Sequence, residues 1–117
     1  MTGRQFLLGV DIGTSSSKGV LVDAADGALL ASAVREHPTS TPYPGWFEHD
    51  AEEVWWADLR AIAAELGPQA EGRLAGVCVS GIGPCVLPTD GSGAPLRPAV
   101  LYGVDTRAQE QIAAQTE

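Results

Sequence analysis

Residues 9–18 bring together a carboxylate, two glycines, four hydroxyl side chains and a lysine, in the order Gly-Val-Asp11-Ile-Gly13-Thr14-Ser15-Ser16-Ser17-Lys18. Apolar runs at 6–10 and 19–22 flank it, which predicts a strand, a tight polar turn and a returning strand. Gly13, in the turn, lets a bound group approach the main chain closely. Successive N–H groups in such a turn form an anion-binding concavity, and the hydroxyls add donors.

Asp11 and Lys18 add a metal ligand and a positive charge to this turn. Mg²⁺ favours one or two carboxylates together with phosphate oxygens, so Asp11 is a candidate magnesium ligand. Lys18 supplies a compact cation for phosphate. The stretch lacks the second glycine, lysine and hydroxyl of a Walker A loop, and no helix follows Gly13 as a dinucleotide fingerprint requires. On spacing alone, an ordinary β-hairpin with a polar turn is an equal alternative.

Composition restricts the class of protein. The 117 residues fit one domain with a modest core, and 44% apolar residues are typical of a globular α/β protein. A net charge of −8 argues against nucleic acid as a partner, and no apolar run has membrane-spanning length. The N-terminal apolar stretch turns polar at Asp11, unlike a secretory signal. Cys78 and Cys85 are therefore expected to be reduced thiols in a cytoplasmic protein.

The hydrophobic pattern predicts a three-stranded antiparallel meander followed by a helix and a further strand. The strands are predicted at 5–12, 17–23 and 28–36, with a turn at Asp26-Gly27. A helix over 50–66 begins at a capping box and ends at Gly67-Pro68. The apolar run 73–80 predicts a strand buried on both faces of a parallel sheet. A short strand at 98–102 and a helix from Asp105 to the C-terminus complete the chain.

Several side chains have predicted positions within these elements. Trp55 shares helical spacing with Leu59, Ile62 and Leu66, so it is expected in the core, whereas Trp56 is the candidate for a rim or partner contact. His37 and His49 lie in or beside loops and are expected to be solvated. The turn 81–85 follows the strand 73–80, at the carboxyl end where α/β sheets bind ligands. Cys85 in that turn is expected to be a small buried residue.

Three stretches resemble the N-terminal part of the FGGY carbohydrate kinases, the family of xylulokinase and glycerol kinase. Residues 9–18 resemble the family's first phosphate loop. Pro44-Gly45-Trp46-Phe47-Glu48-His49-Asp50, followed by Glu53 and Trp55-Trp56, resembles the segment that leads into the family's first helix. The third resemblance runs from 76–81 through 96–102 to Asp105-Thr106-Arg107. The three occur in the family's order and span nearly the whole chain.

This resemblance implies a ribonuclease H-like α/β fold of the actin/hexokinase type, with a mixed sheet in which the antiparallel meander precedes a β-α-β unit. It implies ATP- and Mg²⁺-dependent transfer of a phosphoryl group to a sugar or polyol hydroxyl. Asp11 would hold the metal. The nucleotide phosphates would contact Gly13, Thr14, Ser15, Ser16 and Lys18. The substrate would contact Gly83, Pro84 and Asp105, although Asp105 is equally explained as a helix N-cap.

Two departures from the family limit what the resemblance implies. The family's catalytic Asp and second domain correspond to chain beyond residue 117. Residues 1–117 are thus expected to be the incomplete N-terminal part of the first kinase domain, with no assignable catalytic residue and no activity alone. After Ser80-Gly81, this chain has Ile82, Gly83 and Pro84 where xylulokinase-like members carry Gln-Met-His, which argues against xylulose as the substrate.

Two non-enzymatic alternatives remain at this point. One is a module of the same fold that binds a ligand or partner, and the other is a structural half-domain that assembles with a separate second half. Because a short chain with an unpaired sheet edge exposes apolar surface, self-association as a dimer is also predicted.

Overall fold

A computed structural model describes residues 3–116 and has a four-stranded mixed sheet at its centre. Its strands are β1 (Phe6–Ile12), β2 (Ser16–Asp23), β3 (Leu29–Glu36) and β5 (Leu74–Gly81), in the order β3-β2-β1-β5. The pairs β1–β2 and β2–β3 are antiparallel, whereas β1 and β5 are parallel. The predicted meander followed by a parallel strand is therefore confirmed, with strand limits within one residue of those expected.

One helical segment lies between β3 and β5 in sequence. It begins with a π-helical turn, Ala51–Trp56, continues as α1 (Ala57–Leu66) and ends in a 3₁₀ turn, Gly67–Ala70. The Asp50 carboxylate accepts the N–H groups of Glu52 and Glu53 at 2.9 and 2.8 Å. This confirms the predicted cap, because Asp50 satisfies amides that have no partner within the helix.

The core lies between α1 and the inward face of the sheet. Phe6, Leu8 and Val10 alternate along β1 toward α1, where Ile62 and Leu66 are fully buried. The helix packs close to the sheet at Gly19, where an added Cβ would lie 2.2 Å from Cγ2 of Ile62. A larger residue at position 19 would force the helix and sheet apart.

Trp55 does not belong to this core, so its predicted position is wrong. Its side chain is only partly buried, and the neighbouring Val54 is the buried residue of the first turn. The prediction assumed 3.6 residues per turn from Trp55 to Leu59. Because the first turn is π-helical and wider, that spacing does not hold there.

A second, two-stranded sheet pairs β4 (Glu48–His49) with β6 (Ala99–Val100) in antiparallel orientation. The strand β6 lies within the short strand predicted at 98–102, whereas β4 was not predicted, because two residues carry no detectable periodicity. The last helix, α2 (Gln109–Thr116), begins later than the predicted Asp105, and Glu117 lies outside the described residues. Neither α1 nor α2, nor any other helix within 3–116, has the length and apolar character needed to cross a membrane.

Strand β5 is exposed, which contradicts the prediction that it is buried on both faces. Val77 and Val79 have 56% and 47% of their surface exposed. The helix α1 packs against β1, β2 and β3, whereas β5 lies at the edge of the sheet. The continuous apolar run thus predicted the strand correctly, but it did not determine how much of the strand is covered by the rest of residues 3–116.

We expect the polypeptide of residues 1–117 to self-associate in solution as a symmetric dimer. Strand β5 presents unpaired backbone groups and exposed valines at the sheet edge, and Trp56 and the helix α2 are also exposed. Light scattering at micromolar concentration should give the mass of two chains. The variant Val77→Lys should weaken this association, because a charge on an edge strand opposes pairing. A monomer with protected amides along β5 would contradict the prediction.

Candidate functional site

The turn between β1 and β2 has the features of an anion site. The Gly13 N–H donates to the Ser16 carbonyl at 2.9 Å, and a Cβ on Gly13 would lie 2.9 Å from that same oxygen. Glycine is therefore the residue that closes this turn without a clash. Within residues 3–116, the N–H groups of Thr14 and Ser15 donate to no protein acceptor, so both are free to bind an anion.

A carboxylate and an ammonium group lie beside this turn. Asp11 pairs with Lys18 across β1 and β2, and with Ser80 across β1 and β5. Directly paired residues project from the same face of a sheet, so all three side chains share one face. The Ser80 hydroxyl donates to Oδ1 of Asp11 at 2.7 Å, whereas Asp11 and Lys18 are both exposed. The structure thus brings together the predicted metal ligand, the predicted cation and the turn.

His37 and His49 lie directly beneath the turn, so the prediction that they are solvated is wrong. They are 9% and 1% exposed. Nε2 of His37 lies 2.9 Å from the Gly13 carbonyl oxygen, and Nε2 of His49 lies 3.0 Å from that of Thr14. The Thr39 hydroxyl also donates to the Thr14 carbonyl, at 3.0 Å. The inner side of the turn is therefore held by side chains that come from distant parts of the sequence.

Behind His37 lies a buried carboxylate that sequence reasoning did not identify. Oδ2 of Asp58 lies 2.7 Å from Nδ1 of His37 and accepts the Ser17 hydroxyl at 2.6 Å. Ser17 thus points into the protein, unlike Thr14 and Ser15. The sequence did contain a signal for Asp58, because 58, 62 and 66 share one face of a helix at spacings of four. An acid on an apolar stripe implies a buried polar partner.

His49 is fixed by a second aromatic side chain. Nε1–H of Trp55 donates to Nδ1 of His49 at 3.0 Å, and the rings of His37 and His49 meet edge to face at 4.9 Å between centroids. Burial lowers the pKa of His49, and the neighbouring His37 lowers it further. These conditions favour the neutral ring, which the Trp55 hydrogen bond requires as an acceptor.

A cavity of about 440 Å³ opens at the carboxyl end of β5. Its lining is almost entirely apolar, with Ser80 as the clear polar exception: Ile12, Trp55, Val79, Ser80, Gly81, Ile82, Gly83, Pro84, Cys85 and Leu87. The predicted substrate residues Gly83 and Pro84 thus lie in one cavity, whose lining also includes Ser80, the residue that donates to Asp11. Both cysteines are free thiols as predicted, and Cys85 is half-buried in this lining.

Asp105, the third predicted substrate residue, does not line this cavity. Its Oδ2 accepts the Phe47 N–H at 2.8 Å, and Nε of Arg107 lies 3.0 Å from both carboxylate oxygens. Arg107 also donates to Glu48 at 3.0 Å and stacks 4.0 Å over the ring of Trp46. The hydrogen-bonded Arg107 guanidinium holds the pKa of the Asp105 carboxyl well below its usual range. The cluster joins the segment 46–48 to 105–107.

We expect Asp105→Asn to destabilise the fold by about 1–3 kcal/mol near neutral pH, because Arg107 loses one of its two charged partners in a mostly buried setting and keeps only Glu48. The folded carboxyl has the lower pKa, so its stabilising contribution is complete above the unfolded pKa of about 3.9 and disappears as the pH falls below it. Urea unfolding at several pH values should therefore show that the free energies of unfolding of the unchanged chain and of Asp105→Asn differ near neutral pH and converge in acid. A pH-independent difference would contradict this role for Asp105.

Comparison with known proteins identifies the chain's relatives. Residues 6–116 match the family model for the FGGY family of carbohydrate kinases, N-terminal domain. The chain is 32% identical over 106 residues to a glycerol kinase of Acaryochloris marina, covering 87% of this chain and 21% of that protein. This chain therefore spans about a fifth of the length of that relative.

Solved structures give the same fold. A xylulose kinase from Rhodospirillum rubrum superposes with a TM-score of 0.86 at 37% identity, covering 96% of this chain and 23% of that one. A gluconate kinase from Lactobacillus acidophilus superposes with a TM-score of 0.89 at 21% identity, covering 97% and 23%. The fold is the ribonuclease H-like, actin-type α/β fold, here part of a domain. The chain belongs to the FGGY family of carbohydrate kinases and matches the N-terminal domain of that family.

Proposed function

We propose that the complete protein is an ATP-dependent kinase that transfers the γ-phosphoryl group to a hydroxyl of a sugar or polyol, and that this chain supplies the phosphate side of its cleft. The observation that supports it most directly is the pair of free N–H groups at Thr14 and Ser15, beside the exposed Asp11 and Lys18. Phosphoryl transfer depends on such donors and cations, because it needs positioning and charge neutralisation more than covalent chemistry.

The residues of the turn fit the groups they would bind. The Thr14 and Ser15 amides, with the hydroxyls of Thr14, Ser15 and Ser16, would contact the phosphate oxygens, and Lys18 would neutralise part of their charge. Gly13 keeps the main chain close to the ligand. The exposed Asp11 carboxylate is a suitable oxygen ligand for Mg²⁺, which would neutralise phosphate charge when bound.

The substrate hydroxyl would attack the γ-phosphorus as the bond to the ADP oxygen breaks, and the hydroxyl proton would pass to a base. We assign that base to none of the acids in residues 3–116. In this proposal Asp11, beside the turn, is committed to the metal, and Asp58 is buried on the inner side of the turn. We therefore expect residues 1–117 alone to be inactive.

The substrate class is a sugar or polyol, on the basis of relatives named glycerol, xylulose and gluconate kinases. Within the cavity, Gly83 and Pro84 offer main-chain groups and little polar side-chain chemistry. Because Ile82, Gly83 and Pro84 replace a Gln-Met-His sequence, we do not favour xylulose. A substrate contact at Asp105 would give Asp105→Asn a raised KM for the sugar in the complete protein, in addition to the loss of stability expected from its bonds to Phe47 and Arg107.

Sugar-dependent ADP release tests this function. When polyols, ketoses and sugar acids are each supplied with ATP, the complete protein should release ADP with one of these substrate classes. Residues 1–117 alone should release no more than their Asp11→Ala variant. If the complete protein released no ADP with any of these classes, the proposal would fail in favour of a non-catalytic binding module, which the kinase relatives do not favour.

Cytoplasmic location also belongs to this proposal. It is supported by Cys78 and Cys85, which are both free thiols, because reducing compartments keep thiols unpaired. Alkylation of both cysteines in freshly lysed cells, without prior reduction, would agree with it.

A further inference from the structure

The inner side of the Gly13–Ser16 turn is fastened by two histidines through main-chain carbonyl groups. Nε2 of His37 lies 2.9 Å from the Gly13 oxygen and 3.2 Å from the Thr14 oxygen. Nε2 of His49 lies 3.0 Å from the Thr14 oxygen. Both rings are buried, so these contacts are protected from water. The carbonyls of Gly13 and Thr14 therefore point into the protein.

This orientation determines where the two free amides point. The chain has no cis peptide bond among residues 3–116, and in a trans peptide the C=O and the following N–H point in opposite directions. The Gly13 carbonyl and the Thr14 N–H share one peptide plane, and the Thr14 carbonyl and the Ser15 N–H share the next. With both carbonyls held inward, both N–H groups face outward, where an anion would approach.

The hydrogen-bond partners assign a charge to His37. Its Nε2 faces the Gly13 carbonyl, and its Nδ1 faces Oδ2 of Asp58 at 2.7 Å. The same Oδ2 accepts the Ser17 hydroxyl, and we infer that it is the ionised acceptor of both groups. A neutral imidazole carries only one N–H, so His37 donates from both nitrogens as the imidazolium. Its charge also strengthens the hydrogen bond to the turn.

His49 has the opposite assignment. Because Trp55 Nε1–H donates to its Nδ1 at 3.0 Å, that nitrogen has no proton, and the neutral ring donates from Nε2 to Thr14. The two rings thus hold neighbouring carbonyls with one charged and one neutral donor. Asp58 on α1 balances the charge of His37, and the buried pair is also hydrogen-bonded to the Ser17 hydroxyl and the Gly13 carbonyl.

We propose that His37 and His49 are positioning residues that aim the Thr14 and Ser15 amides at the nucleotide phosphates, with Asp58 keeping His37 in its doubly donating form. This rests on the proposed function, in which the turn binds those phosphates. Neither histidine touches the ligand. Each acts through a carbonyl, so its loss would turn a peptide plane and withdraw an amide from the phosphate.

The protonation assignment is tested without any variant. In ¹⁵N spectra of the complete protein near neutral pH, without nucleotide, His37 should have protons on both ring nitrogens. His49 should be neutral, with its proton on Nε2. A His37 with no proton on Nε2, or a His49 protonated on Nδ1, would overturn the proposal, and a neutral His37 protonated on Nε2 would overturn the role assigned to Asp58.

Kinetics test the positioning role. His37→Phe in the complete protein should lower kcat roughly 10- to 100-fold, because small misplacements of catalytic groups carry penalties of this size. The KM for the sugar should stay within about twofold, and His37→Gln, which keeps one donor, should recover part of kcat. Ile62→Val is the control, since Ile62 is fully buried in α1, the helix that carries Asp58, and its aliphatic side chain cannot hydrogen-bond to the turn. An unchanged kcat in folded His37→Phe would contradict the proposal.

A final comparison separates this proposal from the kinase function. If no sugar supports ADP release, the function fails, but the amide resonances of Thr14 and Ser15 still report on the turn. They should move in His37→Gln and stay in place in Ile62→Val, both without nucleotide. Unmoved resonances in His37→Gln would overturn the proposal whatever the activity.

Discussion

Asp11→Ala should lower the turnover of the complete protein by about 100- to 1,000-fold, while the KM for the sugar stays nearly unchanged. Asp11 is exposed, lies opposite Lys18 and accepts one hydrogen bond from Ser80, so it is available to a metal on phosphate. Losing one electrostatic contact to the transition state typically costs about 2.7–4 kcal/mol. Steady-state kinetics with saturating Mg²⁺ and ATP would measure both parameters.

The matched control for this variant is Glu110→Ala, which removes an exposed carboxylate from α2. It should leave turnover unchanged, since the first turn of that helix lies outside the proposed site. Near-normal turnover in Asp11→Ala would contradict the phosphate-binding role of the segment 9–18. It would favour an ordinary polar hairpin, the alternative that the spacing alone leaves open.

Gly13→Ala should have the second-largest effect, with a loss of turnover of at least about 100-fold. The new Cβ would lie 2.9 Å from the Ser16 carbonyl oxygen, and a main-chain atom cannot move aside as a flexible side chain would. The turn would have to open, which displaces the amides of Thr14 and Ser15 from the phosphates. The expected result is a fall in kcat with little change in the KM for the sugar.

Gly9→Ala in the same strand separates this effect from a general loss of stability. A Cβ at Gly9 would meet only Cγ2 of Val20, at 3.4 Å, which is an ordinary contact. Its kcat should therefore remain close to that of the unchanged protein. Equal losses in both variants would mean that the Gly13 turn has no special role.

The strands were predictable because their side chains alternate. Phe6, Leu8 and Val10 mark the inward face of β1, and Asp26-Gly27 marks the turn between β2 and β3. The extent of burial was not predictable in the same way. The apolar run 73–80 predicts a strand that is buried on both faces. In the structure, α1 packs on the other three strands and leaves Val77 and Val79 exposed.

Only the outward-facing part of the candidate site could be predicted from the sequence. The outward-facing groups, Asp11, Thr14 and Lys18, lie within one local segment and could be found by type and spacing. The inward-facing groups were missed because His37 and His49 lie 24 and 35 residues from the carbonyls they contact. Loop position suggested solvent exposure for both, whereas tertiary packing places them over a buried acid.

Binding of nucleotide at the turn is the central claim, and the amide signals of Thr14 and Ser15 test it most directly. Titration of the complete protein with Mg²⁺ and ATP should produce its largest amide shift changes at these two residues, and Asp11→Ala should weaken them. Control amides in the Asp90–Ala94 turn, which is closed by its own hydrogen bonds, should stay in place. Saturable ATP binding that leaves the Thr14 and Ser15 signals unmoved would contradict the account.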